Sequence, residues 1–442
     1  MKNKELFVLN PTEVNLKNEG VTKIRSINET EDLSIVEYEL KTFICEGEYF
    51  NGLKKILEFY LKNYDNQEQP AIWVSGFYGS GKSHLVKMAG FLWEDFHFNN
   101  GKTARTIKAL PAEIHDLLVE LNRKQQVQGK LSIAGTLRDF PSLDIRYSFL
   151  QLFLSALGFP QQYHLFKFIH WAKEENIYEE LEAILKGAGK NFKTEIENLY
   201  VSSSLAKSVL ELMPNLAENE MKLRELFKSQ FPRTETISRD EFVRTIKEDI
   251  LPLKFGDKIP CTIIILDEVQ QFIANDGNRA FDVQLLAEDL CSRFDGKLLL
   301  VGTGQNALTD TPNLQKLMAR FRIPVQLSNT DIQTVVRKTI LEKKPSVSAE
   351  LKDKLENALG EISRCLEGTV FGYTNDDKTT LVADYPLLPS VRKFWYKVLQ
   401  VIDVAGTSGQ LRNQLRTIDD SLKYIARMEV GQVVPADFIF NQ

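Results

Sequence analysis

Eight consecutive residues, Gly76-Phe77-Tyr78-Gly79-Ser80-Gly81-Lys82-Ser83, fill every fixed position of the spacing G-x-x-x-x-G-K-[S/T]. A chain of phosphates is best held by backbone N–H groups, and side chains obstruct that approach. Glycines remove the obstruction and permit positive φ. A helix beginning at the loop adds the positive end of its dipole. In such a loop Lys82 neutralises β- and γ-phosphates and the Ser83 hydroxyl ligates Mg²⁺. Gly76, Phe77, Tyr78, Gly79, Ser80, Gly81, Lys82 and Ser83 are therefore candidate nucleotide contacts, with ATP and Mg²⁺ as the expected cofactors.

Asp267-Glu268 directly follow Cys261-Thr262-Ile263-Ile264-Ile265-Leu266, the most apolar run in the chain. This is the Walker B arrangement: two carboxylates at the end of a strand, facing the phosphate loop of a neighbouring strand. Asp267 is expected to hold Mg²⁺ through water and Glu268 to polarise the attacking water as general base. Gly302-Thr303-Gly304-Gln305-Asn306 closes the apolar run Leu298–Val301. A polar side chain there can reach the γ-phosphate and the lytic water, Thr303 first and Asn306 second; the plainer alternative is a turn of ordinary turn formers. Arg320-Phe321-Arg322 supplies guanidinium groups, which are always charged and fork-shaped. If that edge meets a neighbouring subunit, Arg320 or Arg322 acts as a finger in trans and activity needs a homo-oligomer; otherwise they are a solvated basic pair. Arg412, in Gly409-Gln410-Leu411-Arg412, is either a lid arginine reaching back to the phosphates or a surface residue, with Arg416 one turn on. The candidate catalytic set is thus Lys82, Glu268, Thr303, Arg320 and Arg322, and the candidate metal ligands are Ser83 and Asp267.

These groups need elements to position them. Ala71-Ile72-Trp73-Val74 reads as a buried parallel strand, followed by the glycine turn and a helix from about Ser83 to Trp93. Leu53, Ile56, Leu57, Tyr60 and Leu61 give an amphipathic helix before it. Residues 131–137, 261–266 and 298–301 read as further strands, and Ile323–Leu327 as the last. Pro324 makes that one an edge strand, because proline cannot donate to a ladder. Helical stripes run over 145–156 and 283–294. Ser83 and Asp267 lie 184 positions apart (267 − 83), and the excess falls in a charged helical insertion at about 160–250. Leu411, Leu415, Ile418, Leu422 and Ile425 form a last stripe. Alternating strands and helices predict an α/β fold with an open parallel sheet flanked by helices. The expected division is a lead-in and helix over 1–69, with strand-like and turn-like fragments before about residue 50. The core with its insertion follows over 70–330, and a helical lid over 331–442.

The 442 residues are 43% hydrophobic and 26% charged, ordinary values for a chain that builds a core. A net charge of −5 argues against a surface dominated by duplex DNA, while leaving a local basic patch open. Cys45, Cys261, Cys291 and Cys365 lie far apart with no CxxC pair. They are expected to be buried free thiols in a reducing compartment rather than a zinc site or disulfide framework. The charged N-terminus lacks an apolar segment behind it, and no run approaches the ~18 apolar residues of a membrane span. A cytoplasmic location with no membrane partner is expected.

The loop, Asp267-Glu268, the polar strand end at Thr303, the Arg320-Phe321-Arg322 element and the Gly409/Arg412 helix together resemble the AAA+-like P-loop ATPases. More narrowly, three segments resemble the P-loop ATPase family of BREX phage-defence systems (the BrxC/PglY family). They are Trp73 to His84, Ser408 to Arg416, and Val434-Pro435-Ala436-Asp437-Phe438. The resemblance runs through most of the chain in order, but only these patches are specific. It brings His84 into the nucleotide-contact set. It implies an ATP-driven switch or motor in a bacterial defence complex, with other defence proteins as partners and DNA contacted through the assembly. Members of that family are much longer, so the chain is expected to be an N-terminal ATPase fragment or a shorter relative. The residues themselves leave other classes open: a signalling or replication-initiator-like ATPase, a scaffold stabilised by ATP with negligible turnover, a nucleic-acid binder with secondary ATPase activity, or, more weakly, a kinase.

Overall fold

Runs of β-branched and aliphatic residues, each closed by glycine or a polar pair, make the strands. The computed structural model describes residues 1–12, 30–76, 80–327, 332–402 and 410–441. Among them β1 (Ala71–Gly76), β2 (Lys130–Gly135), β3 (Cys261–Leu266), β4 (Leu298–Gly304) and β5 (Phe321–Leu327) form one all-parallel sheet in the order β2-β3-β4-β1-β5. Every residue of β1, β3 and β4 is buried, as befits central strands covered on both faces. β5 is an edge strand and alternates buried with exposed positions, and Pro324 lies within it. It begins two residues earlier than the expected 323. The strand expected over 131–137 ends at Gly135, because Leu137–Asp139 turns into a 3₁₀ segment whose Arg138 N–H is capped by the Thr136 hydroxyl.

The connections between the parallel strands lie on both faces of the sheet. One face carries α1 (Thr30–Thr42), α2 (Gly47–Asn63), α3 (Lys82–Glu94) and α4 (Ala112–Gln128), packed on Ile72, Val74, Ile263, Ile265, Leu299 and Val301. The alternate strand residues, Trp73, Ile264, Leu266, Leu298 and Leu300, meet α5 (Ile145–Ala156) on the other face. The chain then leaves the sheet for α6 (Tyr163–Glu174), α7 (Tyr178–Gly187), α8 (Phe192–Glu197), α9 (Ser203–Leu212) and α10 (Glu220–Gln230). These five helices have a core of their own, built around Phe168, Leu181, Leu185, Leu205, Val209 and Phe227. α11 (Arg239–Arg244) and α12 (Pro252–Phe255) return to the sheet, with Phe242, Ile246 and Ile250 in its core. α13 (Val269–Ile273), α14 (Gly277–Ser292) and α15 (Pro312–Gln315) complete that face. Within the helical stretch at about 160–250, the separate core therefore ends near Phe231.

A third core joins α16 (Ile332–Thr339), α17 (Pro345–Asn357), α18 (Leu359–Arg364), α19 (Leu381–Asp384), α20 (Pro389–Ile402) and α21 (Gln410–Ile425). Ile418, Leu422 and Ile425 of the expected stripe are buried in it, while the side chain of Leu411 lies outside the described residues. One expectation for the first 69 residues needs correction. Residues 30–42 are a helix, with Val36 and Leu40 buried against the sheet's core. Residues 2–8 pack with the C-terminal helices: Leu6 and Phe7 enter their core, and the Asn3 and Val8 N–H groups donate to Met428 and Glu342 carbonyls. The lead-in is thus divided between two bodies by its apolar residues. Cys45, Cys261 and Cys291 are buried, but Cys365 is exposed in the loop after α18. Among the described residues, no helix is long and apolar enough to cross a membrane.

The insertion's return is fastened beneath the sheet by charge. Asp289 is completely buried and accepts from Arg146 Nε at 2.9 Å and from Arg239 Nε. Arg239 Nη2 also meets Glu288 at 3.1 Å, and Glu288 in turn meets Arg320 Nη2 at 2.9 Å. Deleting one partner of such a group strands the others in a medium that solvates them poorly. Asp289→Ala should therefore lower unfolding stability by about 3 kcal/mol, read from urea denaturation; a loss below about 1 kcal/mol would mean the cluster behaves as a surface pair.

Candidate functional site

In an open parallel sheet, ligands collect beyond the carboxyl ends of the strands, where successive connections diverge to opposite faces. β1 is such a strand here. The chain leaves it toward β2 at the far edge, whereas β4 and β5 flank it on either side. The ends of β1, β3 and β4 bring together Gly76, Lys82, Asp267, Glu268 and Thr303.

Gly76 closes β1 opposite Leu327. A Cβ there would stand 2.5 Å from the Leu327 carbonyl oxygen and 2.6 Å from Ser80 Oγ. Phe77, Tyr78 and Gly79 lie outside the described residues. Gly81 caps α3 with φ of 82°, the left-handed region that glycine enters freely. A Cβ on it would lie 2.2 Å from Tyr49 Oη, which donates to the Ser80 carbonyl at 2.7 Å. α2 therefore presses on the loop at a point where only glycine fits. The Ser80 hydroxyl is buried and has no hydrogen-bond partner among the described residues. Ser83 sits in the first turn of α3, partly exposed.

Lys82 folds back, Nζ donating to the Gly76 carbonyl at 2.7 Å. Burial pushes its ammonium down to about 8, while the negative charges of Asp267 and Glu268 act in the opposite sense. The Thr303 hydroxyl donates to Asp267 Oδ1 at 2.5 Å and accepts the Glu268 N–H at 3.0 Å. Thr303, expected near the γ-phosphate and the lytic water, stands between the two acids in this structure. Its one proton is given to Asp267, and it is buried; its influence runs through the two acids. Asn306, the second choice, is clamped by Gln270: its side-chain oxygen accepts from Nε2 at 2.9 Å. Glu268 has φ of 56° and ψ of 31°. A non-glycine residue in this region costs about 1–3 kcal/mol and is kept where the surroundings hold it.

Two residues absent from the sequence reading complete the acidic side. Arg138 Nη1, from the segment after β2, donates to Gln271 Oε1 at 2.8 Å and approaches Glu268 Oε2 at 3.5 Å. Gln270 holds the turn after β4. Neither belongs to a short motif; both reach the site only because β2 and β4 flank β3. His84 packs edge-on against Phe43 at 5.6 Å between ring centroids. Burial lowers its imidazole pKa, Glu39 opposing and Lys87 adding to the shift. It thus faces the α1–α2 side. Phe43 also lines a cavity of about 880 Å³ between the core and the C-terminal helices, with Tyr38, Cys45 and Lys108 on one wall and Lys338 and Thr339 on the other.

The arginines fall elsewhere. Arg320 and Arg322 sit at the start of β5, level with Ala71, whereas the loop follows Gly76 at the other end. Six residues of strand separate the two levels by roughly 20 Å. Arg320 is held by Glu288, while Arg322 is exposed, its Nε donating to the Ala319 carbonyl at 3.2 Å. Neither reaches the site of its own chain. The side chain of Arg412 lies outside the described residues; Arg416 is exposed and near Asp420 at 3.8 Å.

No protein-family model matches the chain.

The donors fit an anionic phosphate chain and a hard cation. Backbone cleared of Cβ atoms, a buried hydroxyl in need of a partner and a lysine at the strand end suit phosphate oxygens. Ser83 and Asp267 offer the few oxygen ligands with which Mg²⁺ binds, phosphates and water supplying the rest. Among the described residues, no group of three or more His, Cys, Asp or Glu side chains is placed to hold a metal by itself.

The Lys82 shift gives a measurable sign. Its folded pKa of about 8 lies below the ordinary lysine value of about 10.4. Between the two the unfolded chain binds more protons, so this group makes stability rise with pH across that window, and contributes no slope below it. Lys82→Met should flatten the stability profile between about pH 8 and 10, read by denaturant unfolding at each pH. Parallel profiles for native and variant would show that Lys82 is not depressed.

Proposed function

We propose that the chain is an ATP-hydrolysing switch or motor of the P-loop, AAA+-like type. The observation that carries this reading is the convergence of Lys82, Asp267 and Glu268 at adjoining strand ends, with Thr303 bridging the two acids. The strand order supports it, because β4 lies between the loop strand and the acidic strand and delivers Thr303 to both.

In this reading the loop backbone and Lys82 bind the phosphates, and the adenosine end extends toward the cavity beneath the C-terminal helices. Glu268 accepts a proton from water as its oxygen attacks the γ-phosphorus in line; the bond from that phosphorus to the β,γ-bridging oxygen breaks, leaving ADP and phosphate. Asp267 and Ser83 would hold Mg²⁺, which supplies positive charge to the phosphate oxygens. Arg138 restrains Glu268 through a partly exposed contact, which solvent weakens enough for the glutamate to turn to water. Arg322, exposed at the opposite end of the sheet, is the better placed of the two arginines to serve a neighbouring copy, because Arg320 is engaged by Glu288. The assignment to a BREX-type defence assembly in the cytoplasm, with other defence proteins and DNA as partners, is supported by the sequence resemblance alone.

The test is ATP turnover per subunit over a wide range of protein concentration. Native turnover should rise with concentration. Glu268→Gln should still bind ATP yet lose turnover by about 100-fold or more. Arg322→Ala should remove the concentration dependence, and Arg320→Ala should chiefly reduce stability. A flat native rate that Glu268→Gln abolishes would retain the hydrolase and remove the trans arginine. Equal inactivity of native chain and variant, with ATP bound to both, would favour a nucleotide-stabilised scaffold.

A further inference from the structure

α13 is five residues long and is flanked by two non-glycine residues with left-handed φ, Glu268 at 56° and Ala274 at 49°. A single helical turn is marginal by itself, and both flanking conformations are costly. Something outside the segment must hold it, and Gln270 makes three bonds that do. Its Oε1 accepts the N–H groups of Gln305 at 2.7 Å and Asn306 at 2.9 Å, and its Nε2 donates to Asn306 Oδ1 at 2.9 Å. From the other side Trp73, fully buried in β1, donates its Nε1 to the Asn306 carbonyl at 3.0 Å. Gly304 is squeezed between the two: a Cβ would lie 2.2 Å from Trp73 Cζ2 and 3.1 Å from Gln270 Oε1. Thr303, which bonds both acids, lies two residues before Gln305, the first residue of this turn.

We propose that Gln270 is a positioning residue for the reaction. It pins the turn after β4 to α13, so that the Thr303 hydroxyl stays on Asp267 and the Glu268 N–H and the strained Glu268 backbone is maintained. Its contribution to catalysis rests on the hydrolase reading; its structural tie does not. Gln270 itself touches neither nucleotide nor water in this scheme. A shift of about 1 Å in a positioned catalytic group costs roughly 100-fold in rate, so loss of the clamp should appear in kcat while leaving KM for ATP largely in place.

The experiment compares Gln270→Leu, Gln270→Glu and Asn306→Ala with the native chain, by steady-state ATP turnover and by amide hydrogen exchange over residues 266–270 and 303–306. Gln270→Leu keeps the bulk and removes all three bonds. Its kcat should fall by about 10- to 100-fold with KM changed less than about threefold, and exchange should quicken in both segments. Gln270→Glu keeps the acceptor for both backbone N–H groups and can receive Asn306 after its amide turns over. It should recover most of the native kcat and protection. Asn306→Ala removes one bond and should give a smaller loss of the same kind. Native kcat and native exchange in Gln270→Leu would overturn the proposal; should that variant fail to fold, the same outcome in Asn306→Ala would do so. If the native chain has no turnover, the hydrolase reading fails, and exchange alone decides whether the clamp exists.

Discussion

The acidic half of the site depends on one hydroxyl. Thr303 gives its proton to Asp267 and takes the N–H of Glu268, so a single oxygen continues the tie between β3 and β4 past the last ladder pair, Leu266 with Gly302, and engages two neighbouring acids differently. Adjacent carboxylates repel and would splay apart on a free chain. Here the backbone at Glu268 turns into the left-handed region, and the Glu268 carboxylate meets Arg138 while that of Asp267 meets Thr303. The Thr303 bond to the Glu268 N–H is what that turn leaves in return. Remove the hydroxyl, and the strained residue loses its nearest tether.

This bond exists because of strand order. With β4 between β1 and β3, a polar residue ending β4 stands beside both the loop strand and the acidic strand. Had β1 and β3 been neighbours, the same sequence motifs would face one another with no third strand to bridge the acids. Period-two burial across the strands then sorts their side chains onto two helical layers, Trp73 to one and Ile72 and Val74 to the other. Trp73 thereby faces the layer that contains the turn after β4 and bonds Asn306. A residue that looks like core filling in the sequence also helps to hold the site.

What the sequence made legible was whatever is local. The apolar runs at 71–74, 261–266 and 298–301 are strands because β-branched residues flanked by turn formers leave few alternatives. Pro324 marked its strand as an edge for a reason that holds wherever the strand goes. Residues 30–42 were harder: the helix has weak amphipathic patterning and is stabilised mainly by Val36 and Leu40 against a core assembled from distant segments. The attachment of Leu6 and Phe7 to helices more than 300 positions away leaves no local trace at all. Arg138 and Gln270 escaped notice for the same reason, since their roles come from which strands are neighbours and not from spacing along the chain. Thr303 is intermediate. Its place at a strand end was readable, but the partner of its proton was not.

The two ends of the sheet show why residue type alone misassigns role. Arg320 and Arg146 are as cationic as Lys82, yet at the amino ends of the strands they meet Glu288 and Asp289, acids on the last turns of α14, and the charges close on themselves. Lys82 at the carboxyl end folds onto the Gly76 carbonyl, within the field of Asp267 and Glu268, which are themselves met by Thr303 and Arg138. A closed cluster can brace a fold; an anion added to it must displace a carboxylate already in contact. The direction of the strands, more than the number of charges, therefore separates the end that fastens the helical insertion from the end where Lys82, Asp267, Glu268 and Thr303 meet.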